Sequence, residues 1–163
     1  MPSEGIDVAR TDIQEIYFHR IGTPRSSDLC IARCVDDLNE HFFSVETSDD
    51  GQYLIASIRK GTLHENKLWF IRLPNSSNSI VENPPWSKLI DHMDFVYEFV
   101  TSHDDLFYLK TNDQAANFRL ITINTQTKEI KEIIREDQND LLEDIIRVHE
   151  KYFLARYLKK LAR

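Results

Sequence analysis

Glycine is scarce: Gly5, Gly22, Gly51 and Gly61 are the only four in 163 residues. No two of them form a G-x-S-x-G elbow, a phosphate-binding loop or a dinucleotide fingerprint. Each of those motifs needs glycine at fixed spacing, because the backbone must approach a ligand or turn sharply. The shortage therefore excludes a nucleophile-elbow hydrolase centre and the common nucleotide-binding loops. Cysteine is nearly absent as well. Cys30 and Cys34 lie four apart with no CxxC and no nearby histidine pair, so free thiols in a reducing compartment are expected rather than a disulfide or a zinc site. Basic charge is in deficit, with 20 Lys and Arg against 27 Asp and Glu and a net charge of -7. Such a chain gains little from phosphate counterion release or from an anionic membrane surface, so neither nucleic acid nor membrane is an expected partner. No apolar run approaches the roughly 18 residues of a membrane span. The opening "MPSEGIDVARTD" has neither the basic start nor the apolar centre of a secretion signal. A cytoplasmic location is the expectation.

The six histidines, His19, His41, His64, His92, His103 and His149, show no HExxH or HxH spacing. No metal or cofactor is called for. His19 reads as a strand residue and His103 as a turn residue. The stretch "SDDG", Ser48 to Gly51, could hold a cation, but it lacks the alternating oxygen ligands and distal glutamate of a calcium loop. Aspartate closing a turn onto backbone N–H groups, followed by a glycine tolerant of positive φ, makes it a hairpin corner. The pairs Asp49/Asp50 and Asp104/Asp105 recur at equivalent corners, which speaks for architecture rather than acid–base catalysis.

What the sequence does contain is repetition. "IYFHRI" from Ile16, "LWFIRL" from Leu68 and "FRLITI" from Phe118 share one alternating pattern, about 50 residues apart. A second set, "QYLIASI" at Gln52, "DLFYLKT" at Asp105 and "KYFLARYL" at Lys151, falls between them, each after a polar corner. Branched and aromatic residues in short runs bounded by turn formers predict strands. The shorter candidates "DLCIARC", "FSVETS", "WSKLID", "VYEFVTS" and "EIKEIIR" bring the count to four strands per repeat, the outer ones more polar. The segment from Asn139 to Arg163 carries a helix-like stripe through Leu142, Ile145, Ile146, His149, Phe153, Tyr157 and Leu161. The repeat nevertheless assigns it to two strands, "LEDIIRVH" and "KYFLARYL". "PNSSNSIVENPPW", from Pro74 to Trp86, reads as a solvated connection between third and fourth strands. The expected fold class is all-β, an incomplete β-propeller with about three blade equivalents of four-stranded antiparallel sheet over residues 1–163.

The order "IYFHRIGTPRSSDLCIARCVDD", "ETSDDGQYLIASIRKG", "KLWFIRL", "WSKLID" and "NFRLITINT" resembles the propeller domain of prolyl oligopeptidase, a proline-specific serine peptidase family. The block "YFHRIGTP" followed by "SDDGQYLIASIR" is the most specific part. The resemblance implies a propeller that restricts entry of short proline-containing peptides to a partner α/β-hydrolase domain, which carries the Ser, Asp and His triad. No such domain is legible here, so no catalytic residue is assigned and the chain alone is expected to be inactive. The expectation is a central propeller fragment that begins and ends within blades. By the same resemblance Phe42 matches a methionine, and Thr62 a cysteine, that project toward the apolar part of the substrate pocket. An apolar core position is the competing reading for Phe42. A non-catalytic interaction module and a non-functional truncated product remain the alternative functions.

Overall fold

The alternation of bulky and polar residues produces strands throughout. The structure, a computed structural model, describes residues 14–33, 41–74, 80–149 and 152–159. Among these are twelve strands and one short 3-10 turn. Strands β1 (Glu15–Phe18) and β2 (Leu29–Arg33) form a two-stranded sheet. β3 (His41–Thr47), β4 (Tyr53–Lys60), β5 (Asn66–Arg72) and β6 (Ser87–Ile90) form a four-stranded meander. β7 (Tyr97–His103), β8 (Leu106–Thr111), β9 (Arg119–Asn124) and β10 (Ile130–Ile134) form a second. β11 (Asp140–His149) and β12 (Tyr152–Lys159) form the last pair. All pairings are antiparallel. Two whole blades are thus flanked by the outer half of one and the inner half of another, in agreement with the expected three equivalents of an all-β propeller.

The two repeated sets occupy equivalent places. "IYFHRI", "LWFIRL" and "FRLITI" overlap β1, β5 and β9, the third strands. "QYLIASI", "DLFYLKT" and "KYFLARYL" contain β4, β8 and β12, the second strands. Burial follows this order: β4 and β8 are mostly covered, whereas β10 exposes four of its five residues. Inner strands have sheet on both faces, and outer edges meet water. The C-terminal stretch forms β11 and β12 rather than a helix. Its register shifts between Leu142 and Asp144, and this bulge places Leu142 and Ile145, three apart, in one buried cluster. His19, expected within a strand, lies just beyond β1, where Nδ1 meets the Asp28 carboxylate at 2.6 Å.

The corner at Ser48 to Gly51 is a hairpin turn, as its composition requires. The Gly51 N–H donates to the Ser48 carbonyl at 2.8 Å, and the Gln52 N–H to Asp50 Oδ1 at 3.0 Å. Gly51 has φ +67°, and Asp104 at the next corner has φ +51°, a region that Gly and Asp adopt more readily than most residues. The third corner, Glu150 and Lys151, lies outside the described residues, as do Cys34 and residues 75–79 of the Pro/Ser-rich connection.

Between the two complete sheets lies the main core. Tyr53, Ile55, Leu68 and Phe70 of one face pack on Tyr97, Phe107, Leu109, Ile121 and Ile123 of the other. Phe107 meets Tyr53 at 5.0 Å and Phe70 at 5.2 Å, edge to face, the arrangement the ring quadrupoles favour. Smaller clusters join the flanking half-sheets: Ala32, Phe43 and Ile58 on one side, Leu120, Leu142 and Ile145 on the other.

Amides tie each sheet to the next. Asn66, fully buried at the start of β5, donates from Nδ2 to the Tyr97 carbonyl at 2.9 Å and accepts the Tyr97 N–H at 2.8 Å. Its carboxamide thereby pairs with β7 as a peptide group would. Gln14, just before β1, accepts the Phe43 N–H of β3 at 2.6 Å. Near the start of β9, the main-chain carbonyl of Asn117 accepts the Leu142 N–H of β11 at 2.9 Å. Replacing Asn66 by leucine strands both Tyr97 groups, and each unpaired buried polar group costs on the order of 1–3 kcal/mol. The Asn66→Leu chain is therefore expected to lose about 2–5 kcal/mol in urea unfolding. A loss under about 0.5 kcal/mol would show that the clamp is not needed.

Tyr53 and Tyr97 supply a pH signature. Burial first, and then hydrogen bonding to the Asp105 carboxylate at 3.0 Å, raise the Tyr53 phenol above its ordinary value. Burial and the Asp113 carboxylate raise Tyr97 further. A group raised in the folded state stabilises fully below its unfolded value, about pH 10 for tyrosine, and that contribution disappears as pH climbs through the folded value. Stability should fall steeply above about pH 10, and Tyr53→Phe should flatten that fall in alkaline denaturation curves. An unchanged alkaline limb would refute the assignment.

Candidate functional site

Phe42 and Thr62, singled out in the sequence, stand at one end of the first complete sheet. Phe42 is the second residue of β3, opposite Arg59 of β4. Adjacent side chains of a strand point to opposite faces, so Phe43 enters the core while Phe42 is 57% exposed. Among the described residues nothing covers more than part of the Phe42 side chain. Thr62 is exposed in the turn between β4 and β5, next to Gly61 at φ +55°. His41 pairs with Lys60 in the same ladder, which brings the start of β3 beside this turn. Leu63, not singled out in the sequence, is also exposed there. Exposed leucines are common enough that only this position beside Thr62 draws attention to it. Phe42 and Leu63 give this end an apolar surface, with the Thr62 hydroxyl as a polar point.

The opposite end of β3 is built differently. From Phe42 to the Asp49 corner the strand runs roughly 20 Å at 3.3 Å per residue. Here Asp49 of the corner, Thr101 of β7 and Arg147 of β11 converge. Thr101 Oγ1 donates to Asp49 Oδ2 at 3.0 Å, and Arg147 Nη1 donates to Thr101 Oγ1 at 3.0 Å and to the Ser102 carbonyl at 3.1 Å. Arg147 also lies 3.9 Å from Asp49 Oδ2. One guanidinium thus joins three successive sheets. Asp49, Asp50, Arg147, Val148 and His149 line an open cleft of about 390 Å³ at this point. The sequence presented Asp49 as a turn former only, and its partners lie 52 residues away in β7 and farther still in β11.

Catalytic machinery does not assemble from the described residues. His19, His92 and His103 each face a neighbouring carboxylate at 2.6, 3.2 and 3.7 Å. Among the described residues no hydroxyl or thiol hydrogen-bonds to any of those three rings. His103, expected in the turn, is instead the last residue of β7, paired with Leu106 across the Asp104–Asp105 turn. Cys30 is a buried free thiol whose Sγ contacts the Ala32 carbonyl at 3.5 Å. Among the described residues no group of three or more His, Cys, Asp or Glu is placed to hold a metal ion. No helix among them is long and apolar enough to cross a membrane.

An apolar cavity of about 390 Å³ lies between β2 and the first complete sheet, lined by Ile31, Phe43, Trp69, Pro84 and Trp86 among others. The Trp86 Nε1–H donates to the Ile31 carbonyl at 2.9 Å, and the Trp69 Nε1–H to Asp91 at 3.1 Å. The Trp86 bond ties the end of the β5–β6 connection to β2, and the Trp69 bond joins β5 to the residue that follows β6.

Comparison with known proteins places these features. Prolyl oligopeptidase A of Galerina marginata is 34% identical over 143 residues, covering 87% of this chain and 19% of the relative. The prolyl endopeptidase of Elizabethkingia meningoseptica is 28% identical over 162 residues, covering 97% and 21%. A solved structure of prolyl oligopeptidase B from Galerina marginata, bound to a 35mer hydrolysis and macrocyclization substrate, superposes with a TM-score of 0.84 at 27% identity. It covers 97% of this chain and 22% of that one. The chain therefore spans about a fifth of the length of these relatives. The family described as prolyl oligopeptidase, N-terminal beta-propeller domain, matches residues 1–163. With two complete four-stranded sheets, two half-sheets and the matching repeat, the chain belongs to the prolyl oligopeptidase N-terminal β-propeller family.

Proposed function

We propose that this chain is part of the substrate-gating propeller of a prolyl oligopeptidase-like serine endopeptidase that cleaves short peptides after proline. The observation that carries this reading is the match of the whole chain to the propeller family. Chemistry belongs to a partner α/β-hydrolase domain, since acyl transfer needs an activated serine, a base in reach and an oxyanion hole. The propeller's part is selection. Sheets joined by Asn66 and Arg147 resist splaying, so only a narrow peptide passes where a folded protein cannot. Residues 1–163 form one partial propeller domain in this reading. The cytoplasm suits it, because a buried free thiol at Cys30 persists in a reducing compartment.

Phe42 and Thr62 wall the apolar part of the substrate pocket. The exposure of Phe42, and the apolar end it shares with Leu63, support this. A phenyl ring is stiffer and wider than a methionine side chain, so it favours small residues upstream of the scissile proline. A threonine hydroxyl does not react as a thiolate does, so bulky thiol reagents leave this position untouched.

Purified alone and given a chromogenic proline-containing peptide, the chain is expected to show no turnover. Turnover that survives further purification and disappears on mutating this chain would overturn the division of labour. In a complete protein carrying this propeller, Phe42→Ala should change discrimination among peptides varied upstream of proline by about 1–3 kcal/mol in kcat/KM, the scale of apolar pocket selectivity. Equal scaling of every peptide would remove Phe42 from the pocket. Thr62→Cys should create sensitivity to bulky thiol reagents, and a variant that stays insensitive would place Thr62 away from the substrate path.

A further inference from the structure

The second complete sheet shows what the row holding Phe42 lacks. Phe42 and Glu98 are each the second residue of a first strand, and each opposes the penultimate residue of a second strand, Arg59 on β4 and Lys110 on β8. In the second sheet this row is an ion pair. Lys110 is buried, with Nζ 2.7 Å from the Glu98 carboxylate, 2.5 Å from the Glu143 carbonyl and 5.0 Å from the centre of the Phe118 ring. In the first sheet phenylalanine takes the place of the glutamate, and Arg59 is exposed. Among the described residues Arg59 has neither a hydrogen bond nor an ion pair. Arginines elsewhere in this acidic chain do find a carboxylate: Arg33 on Glu15, Arg119 on Glu132 and Arg156 on Glu143. The contrast is between two complete sheets, both in the interior of the chain.

Directly opposed antiparallel side chains lie about 5 Å apart at Cβ, on one face of the sheet. Arg59 therefore stands beside Phe42, and beyond it in the same row Asn66 reaches across to Tyr97 of the next sheet. Along β3 that face carries Ser44 and then Glu46, roughly 13 Å from Phe42 at 3.3 Å per residue, so the strand itself brings no carboxylate to the row. Thr62 follows shortly after Arg59, in the turn at the same end. A planar fork of donors beside an apolar wall suits a carboxylate carried on a chain that the wall also holds. We infer that Arg59 sets a preference for peptides with an acidic side chain upstream of the scissile proline. The guanidinium donates to that carboxylate as the Lys110 ammonium donates to Glu98. The inference rests on the reading of Phe42 as a pocket wall, and adds a charged contact to that wall.

The test measures kcat/KM, in a complete protein carrying this propeller, for peptide pairs with glutamate or glutamine at matched positions upstream of proline. At one of these positions glutamate should be preferred by about tenfold at low ionic strength, and added salt should shrink the ratio, as it does for an accessible ion pair. Arg59→Gln should bring the ratio to about one. Arg59→Lys should keep part of it, since the charge survives and the planar fork does not. Arg59→Glu should turn the preference toward lysine peptides over their glutamine counterparts. Each ratio is taken within one protein sample, so a loss of folded protein cancels from it. A wild-type ratio near one at every position, or a ratio unmoved by Arg59→Gln, would overturn the inference and leave the pocket reading of Phe42 in place. An unmoved ratio with an equal loss of rate for both peptides would assign the guanidinium to a carboxylate of the hydrolase domain instead. If the complete protein cleaves no proline-containing peptide, the peptidase reading fails and this inference fails with it.

Discussion

The carboxamide of Asn66 is the interaction on which the relation between sheets depends. Sheets stacked face to face can slide, because apolar contact has no direction. A buried amide can only be satisfied in one place, and leaving it unsatisfied is costly. Asn66 therefore converts a slippery apolar contact into a defined offset, bonding Ser57 within its own sheet and Tyr97 in the next. At related positions the Gln14 carboxamide and the Asn117 main-chain carbonyl each accept an N–H from the first strand of the following sheet. The recurrence of this tie, strand set after strand set, makes a repeating blade geometry possible.

Given that offset, the two ends of the inner strands acquire different characters. At the corner end Arg147 draws charges and hydroxyls of three sheets together, while toward the opposite end of β8 Lys110 adds a second tie by donating to the Glu143 carbonyl at 2.5 Å and meeting Glu98 at 2.7 Å. Such bonds gain strength where the surrounding side chains exclude water. The end bearing Phe42, Thr62 and Leu63 has the exposed apolar side chains instead.

Much of this was legible in the sequence because β-structure and turns are written locally. Strand order, the Ser48–Gly51 corner and the polar outer strands follow from alternation, branching and turn chemistry within a few residues of each position. Phe42 was harder. Apolar residues that are covered and apolar residues that are exposed look alike in a string, and the fold shows Phe43 buried while its neighbour Phe42 is exposed. Arg147 carried no local signal at all, since a lone arginine in a strand has the look of an edge charge until Thr101 and Asp49 are brought to it.

The stretch from Asn139 to Arg163 marks the boundary most clearly. Leu142 and Ile145 are three apart and resemble one face of a helix, because a bulge between Leu142 and Asp144 inserts a residue and carries both side chains to one side of the strand. Periodicity alone could not distinguish that from helix, and the repeat did. By itself the sequence determined the fold class, the blade period and the absence of catalytic motifs, since these rest on local sterics and on what glycine alone permits. The tertiary structure alone decided the inter-sheet ties, the Arg147 junction and the exposure of Phe42. Those depend on which groups meet across tens of residues of chain, and on which faces are left without a neighbour.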